Sequence, residues 1–382
     1  MLKYLSKATL LLLALVNSAF LFAQETEKEE EKKYYGRVYG GIESNMQYYI
    51  EDNGLEGAIV PDDAFRSNNY LYLNYNYKRW TAGIQVEGYE QNALLNYNPQ
   101  FEGTNLGIFY VNYKNEKWDV TLGHFYEQFG SGMIFRAWED RALGINSAVR
   151  GGRVKFSPNY NMDFTAFYGK QRSGFGVSSG DLFGFDANIF LAEYLNLYEK
   201  NQDLSIGFSF IGRYESLDRY IQLENPVFDD LTNAYSLRAD YLLGSFYANA
   251  EVNYKSKDGI LDSQGSLSDD FAETGSAVTF NFGYSKSGLG LDVSLRRIEN
   301  MGFFTPREPA VYTDFKGDQS SSFDYLESFI NFAPALTKQH HSLLANIYVF
   351  QAQQSTLFED PEVMRAGETG GQIDFFYEFK EE

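Results

Sequence analysis

Apolar and polar residues alternate with period two along most of this chain, the spacing of β-strands with two unlike faces. In Trp80–Gly88 one face reads Trp80, Ala82, Ile84 and Val86, and the other Thr81, Gly83, Gln85 and Glu87. Leu204–Ile211 sets Leu204, Ile206, Phe208 and Phe210 against Ser205, Gly207 and Ser209. Tyr235–Tyr241, Phe246–Tyr254, Leu289–Arg296 and Ile373–Phe379 repeat the pattern. Their polar faces carry Arg238, Asp240, Glu251, Asp292, Arg296, Asp374 and Glu378. Short connections fall at Lys78–Arg79, Lys114–Lys117, Ser157–Asn161, Leu243–Gly244 and Ser285–Gly288. Long polar ones fall between them, at Glu90–Gly103, Glu127–Ala148, Lys170–Asp181, Tyr214–Thr232 and Ser256–Glu273. Short turns at one end and long loops at the other are what a membrane barrel requires. Keeping that parity makes Leu182–Phe190 a strand, Leu191–Gln202 a long connection on the short-turn side, and Phe323–Phe332 another strand. The pattern predicts an all-β fold, an antiparallel transmembrane outer-membrane β-barrel of about 16 strands.

Composition changes the picture by giving the chain an address. Residues 1–23 have Lys3 and Lys7 before the apolar run Leu10–Val16, which is too short to span a bilayer, and read as a secretory signal peptide. Residues 24–33 follow as a charged periplasmic leader, and 34–382 form the barrel. The formal charge of −20 becomes −22 without the two signal lysines, an acidity that argues against nucleic acid as a partner. Without cysteine there is neither a disulfide nor a thiolate metal site. Aromatics make up 17% of the residues, yet mean hydropathy is negative. In a barrel the apolar face occupies alternate positions and cancels in any running average.

Candidate chemistry concentrates in Gly123–Val154, which crowds Glu127, Arg136, Glu139, Asp140, Arg141, Arg150 and Arg153 among aromatics and glycines. Unpaired charges do not stay in an apolar core, so these face water or pair across a polar lumen. The centre, Met133-Ile134-Phe135-Arg136-Ala137-Trp138, is too apolar to lie free in water. The loop 127–150 is therefore expected to fold into the lumen, anchored by its aromatics and paired with wall residues such as Arg153 and Asp119. The inferred lumen face holds Arg153, Lys155, Arg238 and Arg296 against Glu87, Asp119, Asp240, Glu251, Asp292, Asp374 and Glu378. Such a mixed wall shows no single-sign ring and reads first as cross-lumen ion pairing. No cofactor, metal or catalytic residue is expected. His340 and His341 are neighbours that would face opposite ways on a strand, His124 has no metal-ligand spacing, and Gly130-Ser131-Gly132 is not a nucleophile elbow.

The stretches YEQFGSGMIFRAWEDRALGINSAVRGGRV, FINFAPALTKQHHSLLANIYVFQAQ and GETGGQIDFFYEF resemble a Bacteroidetes group of exported outer-membrane proteins classed as a domain of unknown function. The resemblance runs through most of the mature chain. It implies a barrel in the outer membrane of a Gram-negative bacterium and no established activity. Members of the group continue past the Gln372–Phe379 strand, so a chain stopping at Lys380-Glu381-Glu382 is expected to be truncated, its ring incomplete. An exported barrel has outer-membrane lipid and the barrel-assembly machinery as partners. The expected function is a porin-like passive channel for small hydrophilic solutes, with the inward loop as its constriction. The alternative is a structural or accessory barrel that binds partners through its long surface loops, without transport.

Overall fold

In the computed structural model of the chain, the described residues are 35–54, 64–90, 94, 103–141, 145–216, 229–259, 273–307, 310–313, 319–322, 328–332 and 368–379. The signal and leader segments, Gly144, His340, His341 and residues 333–367 of the expected wall lie outside them.

Among the described residues, fourteen strands form one antiparallel path in which each wall strand pairs with the next along the chain. They are β1 (Arg37–Tyr48), β2 (Phe65–Tyr77), β3 (Trp80–Tyr89), β4 (Gly103–Lys114), β5 (Trp118–Phe125), β6 (Val149–Asn159) and β7 (Met162–Ser173). There follow β8 (Asp181–Phe190), β9 (Gln202–Tyr214), β10 (Leu231–Leu243), β11 (Phe246–Lys255), β12 (Gly275–Lys286), β13 (Leu289–Glu299) and β14 (Glu368–Tyr377). The small pair Ala310–Thr313 and Gln319–Ser322 lies outside this path.

Burial along these strands is inside out. Ile84, Leu237 and Ile373 are 45%, 62% and 70% exposed, whereas Gln85, Glu87, Thr121, Asp186, Ser209, Ser236, Glu251 and Arg296 are buried. An apolar surface this continuous is not left to water in a soluble protein. It belongs against lipid, with a polar interior behind it. The two facing sets are those the alternation predicts, and Trp80 and Trp118 stand outward beside the short turns, against Tyr113 (4.9 Å) and Phe156 (4.2 Å). This is the wall of an outer-membrane β-barrel. β1 begins and β14 ends at the short-turn end, the antiparallel relation that a closing seam needs. Among the described residues each pairs along one edge only.

The strand number is close to the sequence estimate of about 16, but the region after β13 departs from the expected path. β13 pairs directly with β14 from Leu289↔Tyr377 to Ile298↔Glu368, so no strand is inserted between them. Of the expected strand Phe323–Phe332, residues Ser328–Phe332 are described, and they run inside the barrel with one bridge, Phe304↔Phe329. Alternation marks an extended backbone with two faces. It does not say whether that backbone lies in the wall or within it.

Candidate functional site: the interior crossbar

Between β5 and β6 the chain leaves the wall and builds two short hairpins. Glu127–Phe129 pairs with Phe135–Ala137, and Glu139–Asp140 pairs with Ile145–Asn146. The first turns at Gly130 (φ 54°) and Gly132 (φ 93°), a left-handed backbone that costs glycine little. A side chain at Gly130 would also meet Arg238 at 2.6 Å.

The tip of this hairpin is apolar and sealed. Phe129, Met133, Ile134 and Phe135 are at most 1% exposed. They join one cluster with Phe167 of β7, Leu182 of β8, Ile211 of β9, Ala234 of β10, Ala277 of β12 and Ile298 of β13. Phe135 stacks on Phe167 at 4.6 Å. Phe129 reaches the wall at Gly184, where an added Cβ would lie 2.8 Å from its ring. The loop thus lies against the polar-side face of six strands, opposite the lipid-type surface.

Two further segments complete the assembly. The Arg136 amide donates to the Ile330 carbonyl (2.9 Å), the Phe332 amide to Gly132 (2.9 Å), and the Ile330 amide to Phe303 (3.0 Å). Asn331 binds all three pieces: its Nδ2 donates to the carbonyls of Met133 (2.8 Å) and Met301 (2.7 Å), and its Oδ1 accepts from the Phe303 amide (3.1 Å). Sequence reasoning missed these companions, because an Asn between Ile330 and Phe332 looks like a lumen-facing position of a wall strand.

The charged candidates occupy the other edge of the loop. Glu127 pairs with Lys155 (2.6 Å) and Arg153 (3.3 Å), and Arg153 also reaches Asp119 (3.1 Å). Arg141 binds Glu139 (3.1 Å), Glu43 of β1 (2.6 Å) and Gln85 of β3 (2.9 Å), and lies 4.5 Å from the centre of the Tyr70 ring. Burial works against the charge on Arg141, but Glu139 and Glu43 outweigh it and raise the guanidinium pKa above its ordinary value. Arg136 is held between the rings of Trp138 (4.0 Å) and Phe332 (4.4 Å). Asp140 lies half-buried in the second hairpin. Arg150 is already in β6, opposite His124 and Lys170, so the loop ends at Ala148. Of the loop's charges, Glu127 and Arg141 pair with the wall, and Arg141 also pairs with Glu139 within the loop. His124 is packed within the wall, edge-on to Phe109 at 4.8 Å.

Further charges form fully buried ion pairs, and of these only Glu87 stands among the lumen-face residues expected from the sequence. Glu87 of β3 and Arg172 of β7, with three strands between them in the sheet, meet at 2.5 Å, each 1% exposed. The Gln85 amide (2.8 Å) and Tyr89 hydroxyl (2.7 Å) also donate to Glu87. At the long-loop end Arg213 pairs with Asp258, while Arg307 donates to the Glu215 carbonyl (2.7 Å) and lies 3.4 Å from Asp258. Burial opposes the charge on Asp258, but Arg213, Arg307 and Lys255 hold its carboxyl below the usual range. Arg213 and Lys255 extend the lumen parity of β9 and β11 by one step and were legible in principle; Arg172 has the outward parity of β7 and was not. Among the described residues no group of three or more His, Cys, Asp or Glu side chains could hold a metal ion.

The chain belongs to a family of unknown function, DUF6029, whose sequence pattern matches residues 5–382. No well-characterised protein matches it in sequence. Among solved structures it is similar to OccAB1 of Acinetobacter baumannii, with 10% identity, a TM-score of 0.35, and 72% of this chain and 83% of that one covered. It is also similar to OprB of Pseudomonas putida, with 10% identity, a TM-score of 0.34, and coverage of 69% and 75%. For the outer membrane protein OprD of Pseudomonas aeruginosa the values are 12%, 0.32, 71% and 76%. Likeness this distant assigns neither a substrate nor a mechanism.

Proposed function

We propose that this DUF6029 member is a porin-like passive channel for small hydrophilic solutes, narrowed by the crossbar Glu127–Ala148. One observation carries the reading: the loop seals its apolar edge to β7–β13 and leaves its charged edge beside the polar wall of β1–β6. A solute passing there meets half-buried Arg141, Arg153, Lys155, Glu127, Glu139 and Asp119. These alternate in sign and select for water-soluble molecules by size more than by charge. Swelling of liposomes containing the protein tests this with neutral sugars of increasing size. Uptake with a sharp size limit supports the channel, and no uptake by folded, inserted protein rejects it.

A second reading is favoured by the Glu87–Arg172 pair, which spans from β3 to β7 and is sealed from solvent. On it, the barrel is a structural or accessory element whose long loops bind partners, and the same vesicles stay tight to every sugar.

A further inference from the structure

The connection Leu191–Gln202, between β8 and β9 at the short-turn end, is longer than a strand turn needs and is held in one shape. Its own hydrogen bonds run from the Leu195 amide to Leu191 (3.0 Å), Asn196 to Glu193 (3.1 Å) and Leu197 to Ala192 (2.8 Å), and Ala192 is completely buried. Neighbouring turns brace it. The Phe190 amide donates to the Asn161 carbonyl (2.9 Å) and the Gly244 amide to Asn201 (3.0 Å). The Tyr160 hydroxyl (2.5 Å) and the Asn161 side-chain amide both donate to Glu193. Yet this braced ledge holds apolar side chains out: Tyr160 is 75% exposed, Tyr198 59%, Leu195 52% and Tyr194 51%.

Its place in the wall suggests what covers them. On the lipid-type face near the short turns, rings of adjacent strands stack in a row: Trp118 of β5, Phe156 of β6, Phe164 of β7 and Phe185 of β8, with centroids 4.2, 6.5 and 6.4 Å apart. Across β9 and β10 the aromatic contacts shift toward the long-loop end, Phe183 to Phe210 (5.9 Å) and Phe210 to Tyr235 (5.2 Å), leaving Tyr241 of β10 near the short turns. There the rings cluster again at β11, where Phe246 lies 6.2 Å from Phe282 and 4.6 Å from Tyr284 of β12. The ledge emerges between β8 and β9, where the rings near the short turns thin out. Tyrosine has an apolar body and a polar tip, and such rings concentrate at the depth of lipid headgroups.

We propose that Tyr160, Tyr194, Leu195 and Tyr198 form an interfacial anchor that rests in the headgroup region of the adjoining membrane leaflet and continues the aromatic belt across β9 and β10. The proposal rests on the barrel fold and stands whether or not a solute passes. Because the chain has no cysteine, single Leu195→Cys and Tyr198→Cys variants of the full chain take one nitroxide label each. Heat-modifiable migration selects folded protein for insertion into phosphatidylethanolamine–phosphatidylglycerol vesicles. Leu237→Cys on the lipid face and Asn53→Cys in a long loop supply the apolar and aqueous references. Collision with oxygen relative to a water-soluble nickel chelate should place both ledge labels between the references, severalfold above Asn53→Cys. Values equal to Asn53→Cys would mean the ledge projects into the periplasm as a surface for a soluble partner. Shielding from both reagents would mean a protein neighbour covers it. Either result overturns the anchor.

Discussion

Replacing Asn331 by alanine should loosen the interior assembly without disturbing the wall. The Asn331 side chain makes three buried hydrogen bonds, to Met133, Met301 and Phe303 on two different segments. Each is worth about 1 kcal/mol net, so the loss is about 3 kcal/mol, and more if the abandoned backbone groups find no water. At about 1.4 kcal/mol per decade, the equilibrium between docked and undocked crossbar shifts by somewhat over a factor of about 100. None of the three bonds belongs to the β1–β14 ladders, so heat-modifiable migration should be unchanged. Hydrogen exchange read by mass spectrometry in lipid nanodiscs provides the assay. Peptides covering Phe129–Ala137 should lose about two decades of protection, while those from β9 to β11 keep theirs. Equal loss everywhere would mean that the segments are part of the wall. No loss anywhere would mean that Asn331 does not join them.

Three further outcomes follow from the geometry. Arg in place of outward Ile84 or Ala250 should block membrane insertion, at about 2–4 kcal/mol near the bilayer centre, whereas Asn249→Arg, facing the lumen, should insert normally. Gln85 is a poor control, since its side chain contacts Arg141 at 2.9 Å. Glu87→Gln should cost about 3–5 kcal/mol in urea unfolding of the detergent-folded barrel, because the buried Arg172 loses the carboxylate that balances its charge, and Glu87→Met with Arg172→Met should cost less than either single change. The carboxyl of Asp258 lies below its unfolded value, so its contribution is complete above the normal Asp range of about 4 and fades as pH falls through the lower folded value. Protection of Met301–Arg307 should drop over that acid window, and the drop should disappear in Asp258→Asn.

The wall was legible in the sequence because membrane burial acts on alternate residues, and each of Trp80–Tyr89, Leu231–Leu243 and Phe246–Lys255 carries that period plainly. The crossbar was legible for a different reason: Met133–Trp138 is too apolar for a free loop. What the sequence concealed is pairing at a distance. Glu127 and Arg153 are near in sequence, and pairing of the loop with Arg153 was expected; Arg141 with Glu43, or Glu87 with Arg172, joins residues whose meeting depends on how the sheet curls. Phe323–Phe332 reads as a wall strand because an extended segment buried inside a barrel needs the same side chains as one within its wall.

Whether the crossbar stands in a water-filled passage is tested most directly by single-channel recording in planar bilayers. The intact protein should give small, uniform steps, and protein lacking Gly130–Gly144 should give larger ones, since the segment crosses toward Glu251 of β11, whose carboxylate accepts from the Ser131 amide at 3.2 Å. Silence from both, with each folded and inserted, would contradict a channel, and equal conductance from both would remove the crossbar from the solute path.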